Sequence, residues 1–141
     1  MNDMFNNYRT DLQLDISLVY EERIGDIIFL IGTIIAIVST YQAEQAIIDK
    51  LFMIKSSEKS AYTIATASGL FFIASTIFAH VAFVRMVELK SNLNTSTSNL
   101  TINASQIIVI ANITKSIGFG LAAIGNLIRI KSLSGITAIS Q

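Results

Sequence analysis

The chain has no cysteine, no proline, a single histidine and few charges. Without cysteine there are no disulfides, no thiolate metal sites and no thiol nucleophile, and the redox compartment leaves no trace. One histidine excludes a His-based metal cluster within one chain. Without proline, no pyrrolidine ring kinks a helix. Charged residues fill 14% of the 141 positions, where a soluble domain averages about 25%. The formal net charge is zero, so no basic field is present to attract nucleic acid.

Catalytic signatures are absent as well. The sequence contains no G-x-x-x-x-G-K-[ST], no G-x-S-x-G and no H-E-x-x-H. The run G-F-G-L-A-A-I-G, starting at Gly118, imitates a glycine-rich loop. It lies in an apolar stretch with no strand before it, so those glycines read as helix packing. No enzyme activity, cofactor or metal is expected.

What is present is apolar sequence in long blocks: 52% of residues are hydrophobic and the mean hydropathy is +0.58. Residues 60–84, SAYTIATASGLFFIASTIFAHVAFV, hold no charge between Lys59 and Arg85. At ~1.5 Å per helical residue this block crosses a ~30 Å hydrocarbon core with some tilt. Residues 27–43, IIFLIGTIIAIVSTYQA, form a first span near the lower limit of ~17 residues, with Tyr41 placed as an interfacial anchor. Residues 106–128 form a third, weaker span with Lys115 near its middle. A central lysine costs ~2.5–3.5 kcal/mol on insertion, and each Ile, Leu, Phe or Val returns ~0.3–0.6 kcal/mol, so the balance is near zero. Such a span inserts best against helices already in place.

The remaining segments follow. Residues 1–26 suit an amphipathic helix, with Phe5, Tyr8, Leu12, Ile16 and Val19 on one face. Asp11, Asp15, Glu22 and Asp26 also align, as a solvated acidic side or as a stripe for a basic partner. An acidic face is repelled by anionic lipid, so this is not the usual lipid-binding helix. The amino terminus lacks the basic start of a cleavable signal, so the first span is expected to serve as a signal-anchor. Residues 44–59 read as an interfacial connector, with Ser57 or Ser60 capping the next helix. Residues 86–105 are rich in Ser, Thr and Asn and read as a polar loop, and 129–141 as a tail. Asn94, Asn99 and Asn103 each begin a glycosylation-type triplet, a pattern that this composition generates by itself.

The expected fold is therefore all-α: a small integral membrane protein, one membrane domain, with three transmembrane helices and an amphipathic N-terminal helix. Small residues spaced by four suggest helix-packing faces. They are Gly32, Ala36 and Thr40 in the first span, Ala65/Gly69 and Ser75/Ala79 in the second, and Gly118 and Ala122 in the third. The second span is the expected hub. Thr66, Gly69, Thr76 and His80 form the stripe that receives the third span, while Phe71, Phe72, Phe78 and Phe83 turn to lipid. On that reading Gly69→Leu harms assembly of the third span more than Phe72→Leu does.

Asp26, His80 and Lys115 are the ionisable residues placed at membrane depth, with Asn112 and Asn126 as polar companions of Lys115. Such residues tend to face a bundle interior or a water-filled cavity. Alternatively Lys115 snorkels, Asp26 marks the border and His80 bonds a neighbouring carbonyl. The leading functional expectation is a non-enzymatic membrane protein whose partners are the bilayer and either its own copies or other membrane subunits. The alternative is a pore-forming channel or holin-like permeabiliser, with Lys115, Asn112 and Asn126 lining water. A soluble isoleucine-rich bundle is the third reading. Arg9, Arg23, Arg85 and Lys90 fall on one side of the membrane and Lys50, Lys55, Lys59, Arg129 and Lys131 on the other. That balance decides no orientation under the positive-inside rule. The uncharged loop favours an outer amino terminus and an inner carboxyl terminus.

Overall fold

The computed structural model of the chain describes residues 2–54, 59–91 and 99–139, with side chains from 12 to 54, 59 to 91 and 101 to 132. It is all-α. Three helices follow one another, α1 (Asn2–Leu51), α2 (Lys59–Ser91) and α3 (Asn99–Ile139), and no strand occurs among the described residues. All three are long and apolar enough to span a membrane.

The segments expected as separate pieces run together. The amphipathic segment, the first span and most of the connector form a single 50-residue helix, about 75 Å long at helical rise. The absence of proline allows this continuity, because no position forfeits its backbone hydrogen bond. Both ends of the expected loop of 86–105 are helical: α2 continues to Ser91 and α3 begins at Asn99. The tail likewise continues α3 to Ile139. The triplet at Asn94 and the proposed cap at Ser57 lie outside the described residues.

α1 ends in a defined turn. Ile54 N donates to Asp49 O (2.8 Å) and Met53 N donates to Lys50 O (3.2 Å). Met53, with φ 55°, occupies the left-handed position that glycine usually takes.

α2 is the central helix. The backbones of α1 and α3 both pack on it, and no Cα pair between α1 and α3 comes within 8 Å among the described residues. The hub assignment therefore holds, but its spacing differs. In α1 the buried positions Leu18, Gly25, Gly32 and Ser39 recur every seven residues. In α2 two neighbouring stripes do the same, Ala61, Ser68 and Ser75 beside Ala67, Ala74 and Val81. In α3 the series is Ile102, Val109, Ser116 and Ala123, buried or half-buried throughout. A seven-residue repeat keeps one face toward a partner when helices cross at a shallow left-handed angle.

This corrects the packing faces drawn from four-residue spacing. Four residues turn ~40° past a full revolution, so such a series walks off an interface. Gly32 is buried, Ala36 half-buried and Thr40 exposed. Ser75 is buried and Ala79 half-buried; Ala65 is half-buried. A Cβ built on Gly69 or on Gly118 would meet nothing within 4 Å, and Ala122 is exposed.

The phenylalanines expected to face lipid instead seat on glycines. A Cβ at Gly25 would stand 2.8 Å from Phe78 Cε1, and one at Gly32 would stand 3.0 Å from Phe71 Cε1. On the other side of α2, Phe72 Cε2 lies 3.1 Å from the Cβ position of Gly120 in α3. Phe83 keeps the predicted character, half exposed, and Phe72 remains two-fifths exposed despite its contact with Gly120. Phe72, not Gly69, thus marks the α2–α3 contact, and the expected order of the Gly69→Leu and Phe72→Leu effects is reversed.

Leucine at Gly25 or Gly32 is predicted to destabilise the protein in mild detergent by about 1–3 kcal/mol, the cost of overpacking. Leucine at Gly69 or Gly118 should stay within ~0.5 kcal/mol of the parent. The gain in helix propensity is common to all four sites, so the difference reports packing. Reversible unfolding followed by circular dichroism measures it, and equal effects at both pairs would refute the ring-on-glycine interface.

Candidate polar sites at the membrane border

Side-chain hydrogen bonds between helices occur at both ends and at the centre of the α2 interfaces. Toward one end, Ser39 Oγ donates to Ser60 O (2.9 Å) and Thr63 Oγ1 donates to Gln42 Oε1 (2.7 Å), both joining α1 to α2. Between α2 and α3, Asn126 Nδ2 donates to Ser68 Oγ (2.8 Å), while Ser68 Oγ donates to Ile64 O (2.9 Å). Further along, the hydroxyls of Thr76 and Ser116 are 2.9 Å apart. Ser39, Ser68 and Ser116 belong to the seven-residue series; Gln42, Thr63, Thr76 and Asn126 flank it. In hydrocarbon they add directionality to an association that otherwise rests on van der Waals contact.

The charged contacts lie at the opposite end. Arg85 Nη2 donates to Glu22 Oε2 at 2.7 Å, with both side chains a little over two-fifths exposed. His80 Nδ1 is 3.0 Å from Glu21 Oε2. Both pairs tie α2 to α1. At this exposure each contributes about 0–1 kcal/mol, so they select register more than they hold the helices together.

Lys115 is exposed along its stem, yet its Nζ turns over aromatic rings, 4.7 Å from the Phe29 centroid and 5.6 Å from that of Phe78. Phe29 belongs to a cluster in which its centroid is 4.8 Å from Phe71 and 6.1 Å from Phe119, with Phe71 and Phe119 5.2 Å apart. One ring from each helix meets here, so side chains bridge α1 and α3 where the backbones do not. A lysine over a ring face gains about 0.5–1 kcal/mol when exposed and more when desolvated.

Helix stagger sets the depth of Lys115. Its Nζ lies by Phe78, Phe78 covers Gly25, and Asp26 follows Gly25 directly. The middle of the third span in sequence is thus level with the last charged residue before the uncharged run of α1. Asp26 is exposed at that level, and His80 lies one turn from Thr76 on α2. Asp26, His80 and Lys115 therefore share one border of the uncharged belt. They do not join into one polar path: His80 is with Glu21 and Lys115 is on the rings. Asn112 Nδ2 donates to Ile108 O of its own helix (3.1 Å), and Asn126 is held by Ser68 on the far side of the belt.

Of the residues singled out from sequence, Glu22, Gly32, Ser75, Thr76, His80, Lys115 and Asn126 sit in helix contacts. Glu21, Arg85, Ser68 and Ser116 also join helices but were not among those candidates. Ser68 and Asn126 lie 58 positions apart, and no local spacing announces such a partnership. Glu21 and Arg85 read as ordinary flanking charges, and Glu22 as part of a solvated acidic side, until α1 and α2 are aligned. No buried side-chain nitrogen or oxygen lacks a partner among the described residues. Nor do those residues contain a group of three or more His, Asp or Glu that could hold a metal ion.

A double-mutant cycle on Asn126→Leu and Ser68→Ala should show a coupling of about 0.6 kcal/mol and at most about 1.7 kcal/mol, the range of interhelical hydrogen bonds in membranes. The coupling should be insensitive to salt, whereas that between Arg85→Gln and Glu22→Gln should shrink as salt rises. Zero coupling at Asn126 and Ser68 would contradict the contact.

No protein family, no curated protein and no solved structure matches this chain.

Proposed function

We propose that this chain is a non-enzymatic, multi-pass membrane protein that works by assembly, as a homo-oligomer or as an accessory subunit of a membrane complex. The observation that carries the proposal is how little the three helices hide from their surroundings. Only 17%, 17% and 11% of the strongest apolar windows of α1, α2 and α3 are buried within the chain. The outer flanks of α1 and α3 present Ile, Leu and Val throughout. Gly118 and Gly125 of α3 are exposed, Gly69 of α2 is half-buried, and a Cβ built on any of the three would meet nothing within 4 Å. A glycine in a helix interior costs about 1 kcal/mol relative to alanine in water, and in membrane helices its usual return is close approach by another helix. Gly25, Gly32 and Gly120 obtain that return inside the chain; an external helix would supply it for the other three.

The pore reading has less support. It asks Lys115, Asn112 and Asn126 to line water together. Asn126 is engaged with Ser68, Asn112 bonds its own helix backbone, and Lys115 rests on phenyl rings at the border.

The absence of cysteine makes a clean test. Single cysteines at Gly69, Gly118 or Leu121 should cross-link in native membranes, to a second copy or to another membrane protein. Cysteines at the buried Ala67 and Ala74 should not. In mild detergent the particle should exceed one chain or retain a stoichiometric companion, and reconstituted liposomes should leak ions no faster than empty ones. A solitary monomer with no cross-link from any outward position would overturn the assembly reading; selective flux would favour the pore.

A further inference from the structure

On the charged side of Lys115 the three helices enclose a cleft of about 260 Å³. It opens between α1 and α3, whose backbones stay apart, and α2 forms its floor. Phe78, Val81, Met86 and Ile108 make it apolar within, while Glu22, Arg85 and Asn112 stand at its walls. We infer that this cleft binds the headgroup of an aminophospholipid, with the phosphate on the Arg85 guanidinium and the primary ammonium on the Glu22 carboxylate.

Three observations lead there. The first is depth. Glu22 lies one turn outside Asp26 and Arg85 ends the uncharged block of α2, so the cleft begins where hydrocarbon gives way to headgroups. Its apolar interior suits the glycerol end of a lipid and its charged wall suits the polar end. The second is charge. The wall carries one cation and one anion, 2.7 Å apart and both more than two-fifths exposed. A pair at that exposure is worth about 0–1 kcal/mol, so a ligand that offers an anion and a cation together replaces it at little cost. Arg85 presents a planar fork that suits phosphate oxygens. A ligand with only one charge would leave Arg85 or Glu22 without a partner. The third is size and chemistry. A primary ammonium donates hydrogen bonds to a carboxylate, whereas a trimethylated amine has no N–H to donate and needs more room. Asn112, one turn from Lys115, stands on the third wall with its Nδ2 bonded to Ile108 O, so the two charged groups carry the recognition.

The test is thermal unfolding of the purified chain in a lipid-free mild detergent, with phosphatidylethanolamine, phosphatidylcholine or phosphatidylglycerol of identical acyl chains added in turn. Phosphatidylethanolamine should raise Tm by about 3–6 °C more than the other two, the shift expected of a tenfold preference. Glu22→Gln and Arg85→Gln should each abolish the difference. Ala82→Phe fills the cleft and leaves both charged groups in place; it should abolish the difference while circular dichroism shows the helices intact. Equal shifts from all three lipids would overturn the proposal. So would a preference that survives Ala82→Phe, or free phosphoethanolamine matching the lipid, which would make the ligand a soluble headgroup and not a membrane one.

Discussion

The arrangement depends on phenyl rings of one helix seated over glycines of its neighbours. Phe71 and Phe78 are seven residues apart in α2 and meet Gly32 and Gly25, which are seven apart in α1. Phe72, one position round the helix, meets Gly120 in α3. In a bilayer, lipid tails are as apolar as leucine, so burying a phenyl ring gains little from leaving water. What remains is dispersion, which falls off within fractions of an ångström. Removing the Cβ from the partner lets a ring close that distance. One helix can then hold two others on adjacent stripes, as α2 does.

Polar groups refine this contact without creating it. Ser68 accepts a hydrogen bond from Asn126 and donates one to Ile64 O, so neither is left unsatisfied in an apolar surrounding. Thr76 and Ser116 meet hydroxyl to hydroxyl. At the charged end, the Glu21–His80 and Glu22–Arg85 pairs bring the exit of α1 from the hydrocarbon level with that of α2. Lys115 is brought to the same level by the stagger of α3. An apparently expensive mid-span lysine thus becomes a border residue with ring faces beneath its ammonium group, which lowers the insertion cost that its sequence position implies.

Much of the architecture was legible before any coordinates. The uncharged runs of 27–43 and 60–84 are too long and too apolar to be read otherwise, and the lack of proline and cysteine limited the options further. The central place of the second span also followed from its small residues, although of Ala65, Gly69, Ser75 and Ala79 only Ser75 is fully buried. Gly69 and Gly118 fit a four-residue spacing and open outward, whereas Gly25 belongs to no such series and is tightly covered by Phe78. Gly25 sits beside Asp26, and its neighbourhood looked like a membrane exit, not an interface. The ends of the polar loop were misjudged for a related reason. Ser, Thr and Asn favour turns in isolation, but the first residues of α3 continue a helix whose later turns are packed against α2, and helix growth onto an existing segment costs less than nucleation.

By itself the sequence determined that the chain is helical, apolar enough to cross a membrane three times, and short of the residue types that most catalytic and metal sites require. These properties follow from composition and from runs of adjacent residues, which are one-dimensional quantities. Only the tertiary structure decided which glycines are covered, which phenylalanines lie over them, and where Lys115 lies along the uncharged runs of α1 and α2. Each of those depends on the rotation and stagger of one helix against another. Each four-residue step turns ~40° past a whole revolution, whereas each seven-residue step falls only ~20° short of two, and stagger joins residues as distant as Ser68 and Asn126. No local pattern encodes either quantity, because both are set by how side chains on two surfaces fit together.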